Sequence, residues 1–373
     1  MFQRSGVVAA LMAAFVLTAC GGGGPSVSAV KVVGDSLADS GTFGFKFTVQ
    51  GNPIWTDLVA DAVDAPALCP RYAATSATNV VLNPQAAGCT SYAVGGARIN
   101  PPGGAAADTS PLSVVQQLKT LAAEQRFKPD EMLLVDGGGN DVADLVTAYL
   151  TAGLPLAAGG DGGASYGALL GELLTPAEVG ANLANPLAAG SLYMTRLADL
   201  LADTVEQQAL RRGALRVVVV NVPDVTVTPR FLVTLQLIAS QGPSGPANAA
   251  GVKGLAGTWV KAFNDRLNAR LGKKPQVAIV DFNRLLTQWV TTPAAFGLTN
   301  VTTPACPNLA PAGSLPAYNI AACTTASLNA SFGNDSWRSY VFSDNFHGTP
   351  KTNELVADAV LDAVMAKVPR GLR

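Results

Sequence analysis

The chain has 373 residues, of which 49% are hydrophobic and 14% are charged, and its formal net charge is -1. This length and apolar content suffice for one large α/β domain with a substantial core. The near-neutral charge and the lack of a basic tract exclude an electrostatic surface for nucleic acid, and the composition excludes collagen, coiled coil and acidic disorder.

The first segment of the chain has the features of an export signal. Arg4 precedes an apolar run over 6–17, and about a dozen apolar residues are too few to span a bilayer of roughly 30 Å. Leu17-Thr18-Ala19-Cys20 resembles the lipobox of bacterial lipoproteins. This resemblance implies a signal peptide over 1–19, acylation of Cys20, a Gly-rich tether over 20–28 and sorting to the outer membrane. A plain secretory signal with an incidental cysteine is the alternative.

The other four cysteines form two local pairs in loop-like stretches. Four cysteines allow three connectivities, and closeness in the chain favours Cys69–Cys89 and Cys306–Cys323. Each bridge would constrain the unfolded chain by roughly 3 kcal/mol. A zinc site is the alternative, but no CxxC spacing occurs and the chain has a single histidine. The sequence therefore predicts neither a metal nor another cofactor.

Strands and helices alternate through the first half of the chain. Three short runs, most of whose residues are apolar, predict buried strands over 29–33, 92–94 and 132–135. Helical spacing predicts helices over 55–63 and 112–126. A Gly-, Ala- and Pro-rich insertion follows over about 152–190.

The alternation continues to the end of the chain. A long helix has Leu197, Leu201, Val205 and Gln208 a turn apart, and another helix passes through Phe263, Leu267 and Leu271. Strands are predicted over 215–222, where four valines are consecutive, and over 277–280. After a long loop region over 292–342, Thr349 and Pro350 begin a terminal helix. The pattern predicts one α/β domain over 29–373, with a doubly wound, flavodoxin-like parallel sheet flanked by helices and carrying loop insertions.

Polar motifs follow the strands of this sheet, where ligands bind in such folds. Ser36, at a predicted strand-to-helix turn, is the candidate nucleophile, and His347, the only histidine, is the candidate base. Asp344 stands three residues earlier and would orient the imidazole. The backbone N–H groups of Ser36 and Gly95 and the Asn140 amide would stabilise an oxyanion, with Gly96 as the alternative to Gly95.

Other motifs at the strand ends receive structural interpretations. Asp35 is expected to cap the following helix or to brace the Ser36 loop, and Asp141 to cap the helix after Asn140. Gly137 to Gly139 resemble part of a phosphate cradle, but neither Lys-Ser/Thr nor a GxGxxG pattern accompanies them, so nucleotide binding is not predicted.

Four ordered blocks carry a family resemblance. They are Gly34-Asp35-Ser36-Leu37, Tyr92-Ala93-Val94-Gly95-Gly96-Ala97, Gly138-Gly139-Asn140-Asp141 and Asp344-Asn345-Phe346-His347. Together they resemble the blocks of the GDSL (SGNH) hydrolase family. The resemblance implies the SGNH fold and a serine esterase or lipase that works through an acyl-enzyme. It makes Ser36, Asp344 and His347 the catalytic triad and Gly95 and Asn140 oxyanion donors.

The expected substrate is a small-molecule or lipid ester that enters a cleft over Ser36, walled partly by the 152–190 and 292–342 insertions. A phospholipase or acyltransferase and a polysaccharide deacetylase are alternatives on the same site. A non-catalytic surface-binding lipoprotein is the alternative from another class. Apart from the substrate, the predicted partner is the membrane, which the protein would contact through its lipid anchor. No nucleic-acid partner is predicted.

Overall fold

The computed structural model describes residues 27–76, 79–103, 109–153, 159–311 and 316–367. The predicted signal peptide, Cys20 and most of the tether lie outside the described residues. Within those ranges, no helix combines the length and the apolar content that a membrane span requires.

Six strands occur in the described residues. They are β1 (Ala29–Val33), β2 (Tyr72–Ala74), β3 (Val80–Leu82), β4 (Glu131–Val135), β5 (Val217–Val220) and β6 (Val277–Val280). Four of them form a parallel sheet in the order β1-β4-β5-β6, while β2 and β3 form an antiparallel hairpin. In the parallel sheet, Val33 is opposite Val135, and Val135 is opposite Val219. The strands of this sheet are almost entirely buried, as expected for a parallel sheet covered on both faces.

Helices follow most of the strands. They are α1 (Trp55–Ala62), α2 (Val114–Glu124), α3 (Gly139–Gly153), α4 (Ala164–Gly171), α5 (Pro176–Asn182), α6 (Pro186–Thr204), α7 (Pro229–Ala239), α8 (Gly245–Leu271), α9 (Phe282–Thr291), α10 (Thr325–Phe332) and α11 (Pro350–Lys367). The predicted α/β, doubly wound fold is confirmed.

Alternate strand residues enter two cores. Val33 packs into a core with apolar residues of α2, α3, α6 and α8, whereas Val32 packs into a second core with residues of α1, α9 and α11. This division follows from the two-residue period of a strand. The sheet is therefore covered by helices on both faces.

The strand predicted over 92–94 is not a regular strand in the structure. Ser91 forms a parallel bridge with Val32 of β1, and next to it Tyr92 N–H donates to Val32 O at 2.7 Å and Val94 N–H donates to Gly34 O at 3.1 Å. The chain thus lies on one side of β1 before it crosses to β4 on the other side. The carboxyl ends of β1 and β4 flank this reversal in strand order, which is where open α/β sheets bind ligands.

The two insertions contain more regular structure than their composition indicates. The 152–190 insertion holds α4, α5 and the first turn of α6, and the 292–342 region holds α10. Side-chain capping explains two of these short helices: Thr175 caps α5 and Thr324 caps α10. The hairpin and α9 were not predicted from the sequence.

The predicted disulfide pairing is confirmed. Cys69–Cys89 encloses the β2–β3 hairpin, and Cys306–Cys323 closes a loop of similar length before α10.

Candidate active site

Ser36 lies in the turn that follows β1, at the carboxyl end of the sheet. The Asp35 side chain accepts the Leu37 N–H at 3.0 Å, and the Asp35 carbonyl accepts the Ala38 N–H at 3.2 Å. Asp35 thus braces the Ser36 turn, which was one of its two predicted roles. The predicted helix directly after Ser36 is wrong, because the next helix begins only at Trp55.

A buried carboxylate turns the chain away from a helical path. Asp39 accepts the N–H groups of Gly41 and Thr42 at 2.9 and 2.7 Å, and its other oxygen accepts the Gly95 N–H at 2.8 Å. Local side-chain bonds of this kind compete with helix formation. Asp39 therefore joins the loop after Ser36 to the Gly95 turn.

Asp136 is hydrogen-bonded to the backbone of the Ser36 turn, a contact that the sequence does not predict. Its Oδ1 atom accepts the Asp35 N–H at 2.9 Å, whereas its Oδ2 atom has no partner among the described residues. A Cβ atom at position 34 would lie 1.7 Å from this Oδ1, so Gly34 is required for the contact. Burial and the nearby charge of Asp35 raise the pKa of Asp136 well above its ordinary value.

His347 lies in a tight turn that Asp344 holds together. The Asp344 Oδ1 atom accepts the backbone N–H groups of Phe346 and His347, both at 2.7 Å. Ser343 closes the turn, because its N–H and its hydroxyl both donate to the His347 carbonyl, at 2.7 and 3.0 Å. The imidazole is therefore fixed by its own backbone as well as by side-chain contacts.

The side chains of Ser36, His347 and Asp344 form a continuous hydrogen-bonded chain. His347 Nε2 lies 2.8 Å from Ser36 Oγ, and His347 Nδ1 lies 2.6 Å from Asp344 Oδ2. This is the arrangement in which a carboxylate orients an imidazole and the imidazole takes a hydroxyl proton.

Burial and charge have opposite effects on the pKa values of His347 and Asp344. Burial alone would lower the pKa of His347, but the charge and hydrogen bond of Asp344, together with the charge of Asp35, raise it above its ordinary value. Burial likewise favours a raised pKa for Asp344, but the His347 charge and the hydrogen bonds that it accepts lower it. The pair therefore favours an ionised carboxylate beside the imidazole.

Asn140 lines the same cavity as Ser36 and is held in place by the loop before α2. Its side-chain amide donates one hydrogen bond to Ala97 O at 2.9 Å, and its second amide hydrogen has no acceptor among the described residues. Asp141 fixes this loop by accepting the N–H groups of Ile99 and Asn100, both at 3.0 Å. The predicted capping role of Asp141 is wrong, because both of its carboxylate oxygens accept hydrogen bonds from these distant backbone groups. Burial raises the pKa of Asp141 to about 6.

The Gly95 N–H, predicted as an oxyanion donor, is occupied by Asp39 in this structure. A Cβ atom at Gly95 would lie 2.4 Å from the Phe47 ring, which explains the glycine by close packing. Gly96 lines the cavity with Ser36, and its N–H has no acceptor among the described residues. These observations count against the predicted role of Gly95 and favour Gly96.

A cavity of about 260 Å³ opens in front of Ser36 and His347. Its inner wall is made by buried apolar residues of the second core: Trp55, Val220, Phe282, Leu286, Phe342 and Val356. The expectation that the insertions form the walls is largely wrong. None of the described residues of 152–190 lines the cavity, and only Phe342 of the 292–342 region does so.

The fold is a doubly wound α/β domain, and Ser36, His347 and Asp344 form one hydrogen-bonded chain beside its cavity. A family model described as GDSL-like Lipase/Acylhydrolase matches residues 30–360, nearly the whole chain. The chain belongs to this family, which implies a hydrolase that acts on ester or acyl groups. No curated protein matches the chain.

Proposed function

We propose that this protein is a carboxylic ester hydrolase in which Ser36 is the nucleophile, His347 the general base and acid, and Asp344 the residue that orients His347. The 2.8 Å contact between His347 Nε2 and Ser36 Oγ carries this proposal. A serine hydroxyl is a weak nucleophile unless a base takes its proton during attack.

The reaction proceeds in two halves. Ser36 Oγ attacks the ester carbonyl carbon while His347 Nε2 takes the hydroxyl proton, and His347 then gives this proton to the departing alcohol oxygen. Water attacks the resulting acyl-enzyme in the same way, with His347 as base, and the acid leaves as Ser36 regains its proton.

Charge develops on the carbonyl oxygen in both halves. Three donors beside the cavity would stabilise it: the Ser36 N–H, the Gly96 N–H and the free amide hydrogen of Asn140. Such donors act mainly in the transition state and contribute to kcat more than to binding.

The small volume of the cavity and its apolar lining support a short acyl chain. Its volume of about 260 Å³ lies just below the usual range of small-molecule sites, about 300–1,000 Å³. Esters with shorter acyl chains are therefore expected to react faster than esters with long ones.

A series of nitrophenyl esters with increasing acyl length tests the proposal. The wild-type protein should hydrolyse the shorter members, whereas Ser36→Ala should lose at least about a thousandfold in turnover. Ser240→Ala is the matched control, because Ser240 lies at the exposed end of α7, away from the cavity. Equal activity in Ser36→Ala and the wild type would refute the proposed nucleophile.

The proposal includes an exported, membrane-anchored location. It is supported by the lipobox-like residues up to Cys20 and by the two disulfides, because disulfides persist in oxidising compartments. Mass spectrometry of the mature N-terminal peptide is the test. An acylated Cys20 is expected, and an unmodified Cys20 or cleavage elsewhere would contradict the anchor.

A further inference from the structure

Arg230 stands at the mouth of the cavity and has no role in the proposed chemistry. It is the second residue of α7 and is exposed, and its guanidinium lies 5.2 Å from the centre of the Phe346 ring. Its backbone N–H donates to Asn345 O at 3.1 Å. Arg230 is therefore attached, through backbone and side chain, to the turn that carries His347.

Among the described residues, no acidic side chain forms an ion pair with Arg230. Arg98, by contrast, pairs with Asp144 near the same site. The carboxyl groups that line the cavity, Asp35 and Asp136, are buried beneath the Ser36 turn and bonded to its backbone. Among the described lining residues, Arg230 is thus the arginine or lysine that an incoming substrate meets.

The cavity lining combines buried apolar side chains with the exposed guanidinium of Arg230. Its inner wall is formed by buried residues such as Trp55, Phe282 and Leu286, which suit an acyl chain. The alcohol half of an ester must remain near His347, because His347 gives it a proton. Arg230 lines the same cavity as His347 and contacts Phe346, the residue before His347, so a charged side chain accompanies the turn that protonates the alcohol.

We propose that Arg230 binds an anionic group, a phosphate or a carboxylate, on the alcohol half of the ester. A guanidinium suits this task because its N–H groups form paired, charge-assisted hydrogen bonds with such oxyanions. The contact with the Phe346 ring restrains the guanidinium before the substrate arrives. This inference rests on the proposed ester hydrolase activity, and it names the class of substrate that the same site prefers.

Three esters with the same acyl chain separate the possible sources of charge: octanoylglycerol, octanoylglycerol phosphate and octanoylglycerate. The wild-type protein should prefer at least one anionic ester over the neutral one by about tenfold in kcat/KM at low salt, and less at high salt. Preference for the phosphate alone or for the carboxylate alone identifies which group the site takes.

Variants of Arg230 test whether this residue causes the preference. Arg230→Gln should bring the kcat/KM ratio of anionic to neutral esters close to one. Arg230→Lys should keep part of the preference because the charge remains. Arg284→Gln is the control, since Arg284 is exposed on α9 and does not line the cavity. A purely structural role would lower the rates on all three esters alike and leave the ratio unchanged, which would overturn the inference.

Binding provides a readout that does not depend on turnover. Octanoylglycerol phosphate and octanoylglycerate are titrated calorimetrically into the Ser36→Ala variant and into the double variant that also carries Arg230→Gln. The double variant should bind the preferred anion at least tenfold more weakly than the single variant. Equal affinity would overturn the Arg230 site even if the protein hydrolyses esters. Conversely, a wild-type protein that binds the anion through Arg230 but hydrolyses none of the three esters would contradict the proposed function and leave the anion site supported.

Discussion

His347 Nε2 and Ser36 Oγ lie 2.8 Å apart although 311 positions separate the two residues in the chain. Ser36 is held by the turn after β1, and His347 by the turn before α11. Each turn is closed by an aspartate that accepts backbone N–H groups, Asp35 in the first and Asp344 in the second. The contact is therefore formed between two turns, each held by its own aspartate.

The pH dependence of turnover tests the pairing of His347 with Asp344. Only the neutral imidazole can take the Ser36 proton, so kcat/KM should rise as pH passes through the pKa of His347. Asp344 raises this pKa, and Asp344→Asn should shift the rise to lower pH. The same variant should lower kcat by about 10³–10⁴ because tautomer control is lost. A full pH–rate profile measures both effects, and an unshifted midpoint would mean that another group sets the pKa.

Asn140→Ala should lower kcat by about 10²–10³ while KM changes little, because its amide is proposed to bind charge that exists only in the transition state. Steady-state kinetics on one nitrophenyl ester give the two parameters separately. Asn182→Ala, on α5 and away from the cavity, is the control. A raised KM with normal kcat would instead make Asn140 a substrate-positioning residue.

Asp136→Asn tests the buried carboxyl under the Ser36 turn. A raised pKa in the folded state means that stability from Asp136 is fully present below its unfolded pKa and is lost as pH rises through the folded pKa. Asparagine does not titrate but keeps an oxygen that can accept the Asp35 N–H. The free energy of unfolding of the variant, relative to wild type, should therefore increase as pH rises above about 4. Urea unfolding at several pH values measures this difference, and a difference independent of pH would contradict a raised pKa.

The two disulfides should differ in their effect on activity. Ala305 and Cys306 donate backbone hydrogen bonds to Phe342 and Ser343, at 2.9 and 2.8 Å, and Ser343 holds the His347 turn. Replacing Cys306 and Cys323 by alanine should cost about 3 kcal/mol of stability and lower kcat about tenfold or more.

The Cys69 and Cys89 double alanine variant is a matched control, because its loop spans 20 positions compared with 17 for the other pair. It should lose similar stability but less activity. Thermal unfolding measures the loss of stability in both variants, and steady-state kinetics measure the loss of kcat. Equal losses of kcat would show that the Cys306–Cys323 bridge does not act through the His347 turn.

The sequence predicts those features that depend on local pattern. Runs of buried valines predict β5, neighbouring cysteines predict both disulfides, and Thr349-Pro350 predicts the start of α11. The single histidine also leaves one candidate partner for Ser36. In these cases the residue type or the spacing alone restricts the outcome.

The missed features depend on contacts between distant segments. Asp39 occupies the Gly95 N–H across 56 positions, Asp136 supports Asp35 across 101, and Asp141 reaches Ile99 across 42. No periodicity marks such pairs, since each aspartate looks locally like a turn or capping residue. Gly34 is the one local signal, because a glycine before Asp35 indicates that another group approaches the backbone closely.

Covalent labelling with a fluorophosphonate, followed by peptide mass spectrometry, tests the central assignment most directly. The probe forms a bond with an activated serine oxygen and releases fluoride. The assignment predicts a single adduct on Ser36, lost in Ser36→Ala and kept in Ser240→Ala. An adduct on a different serine, or none on an intact folded protein that hydrolyses esters, would contradict it.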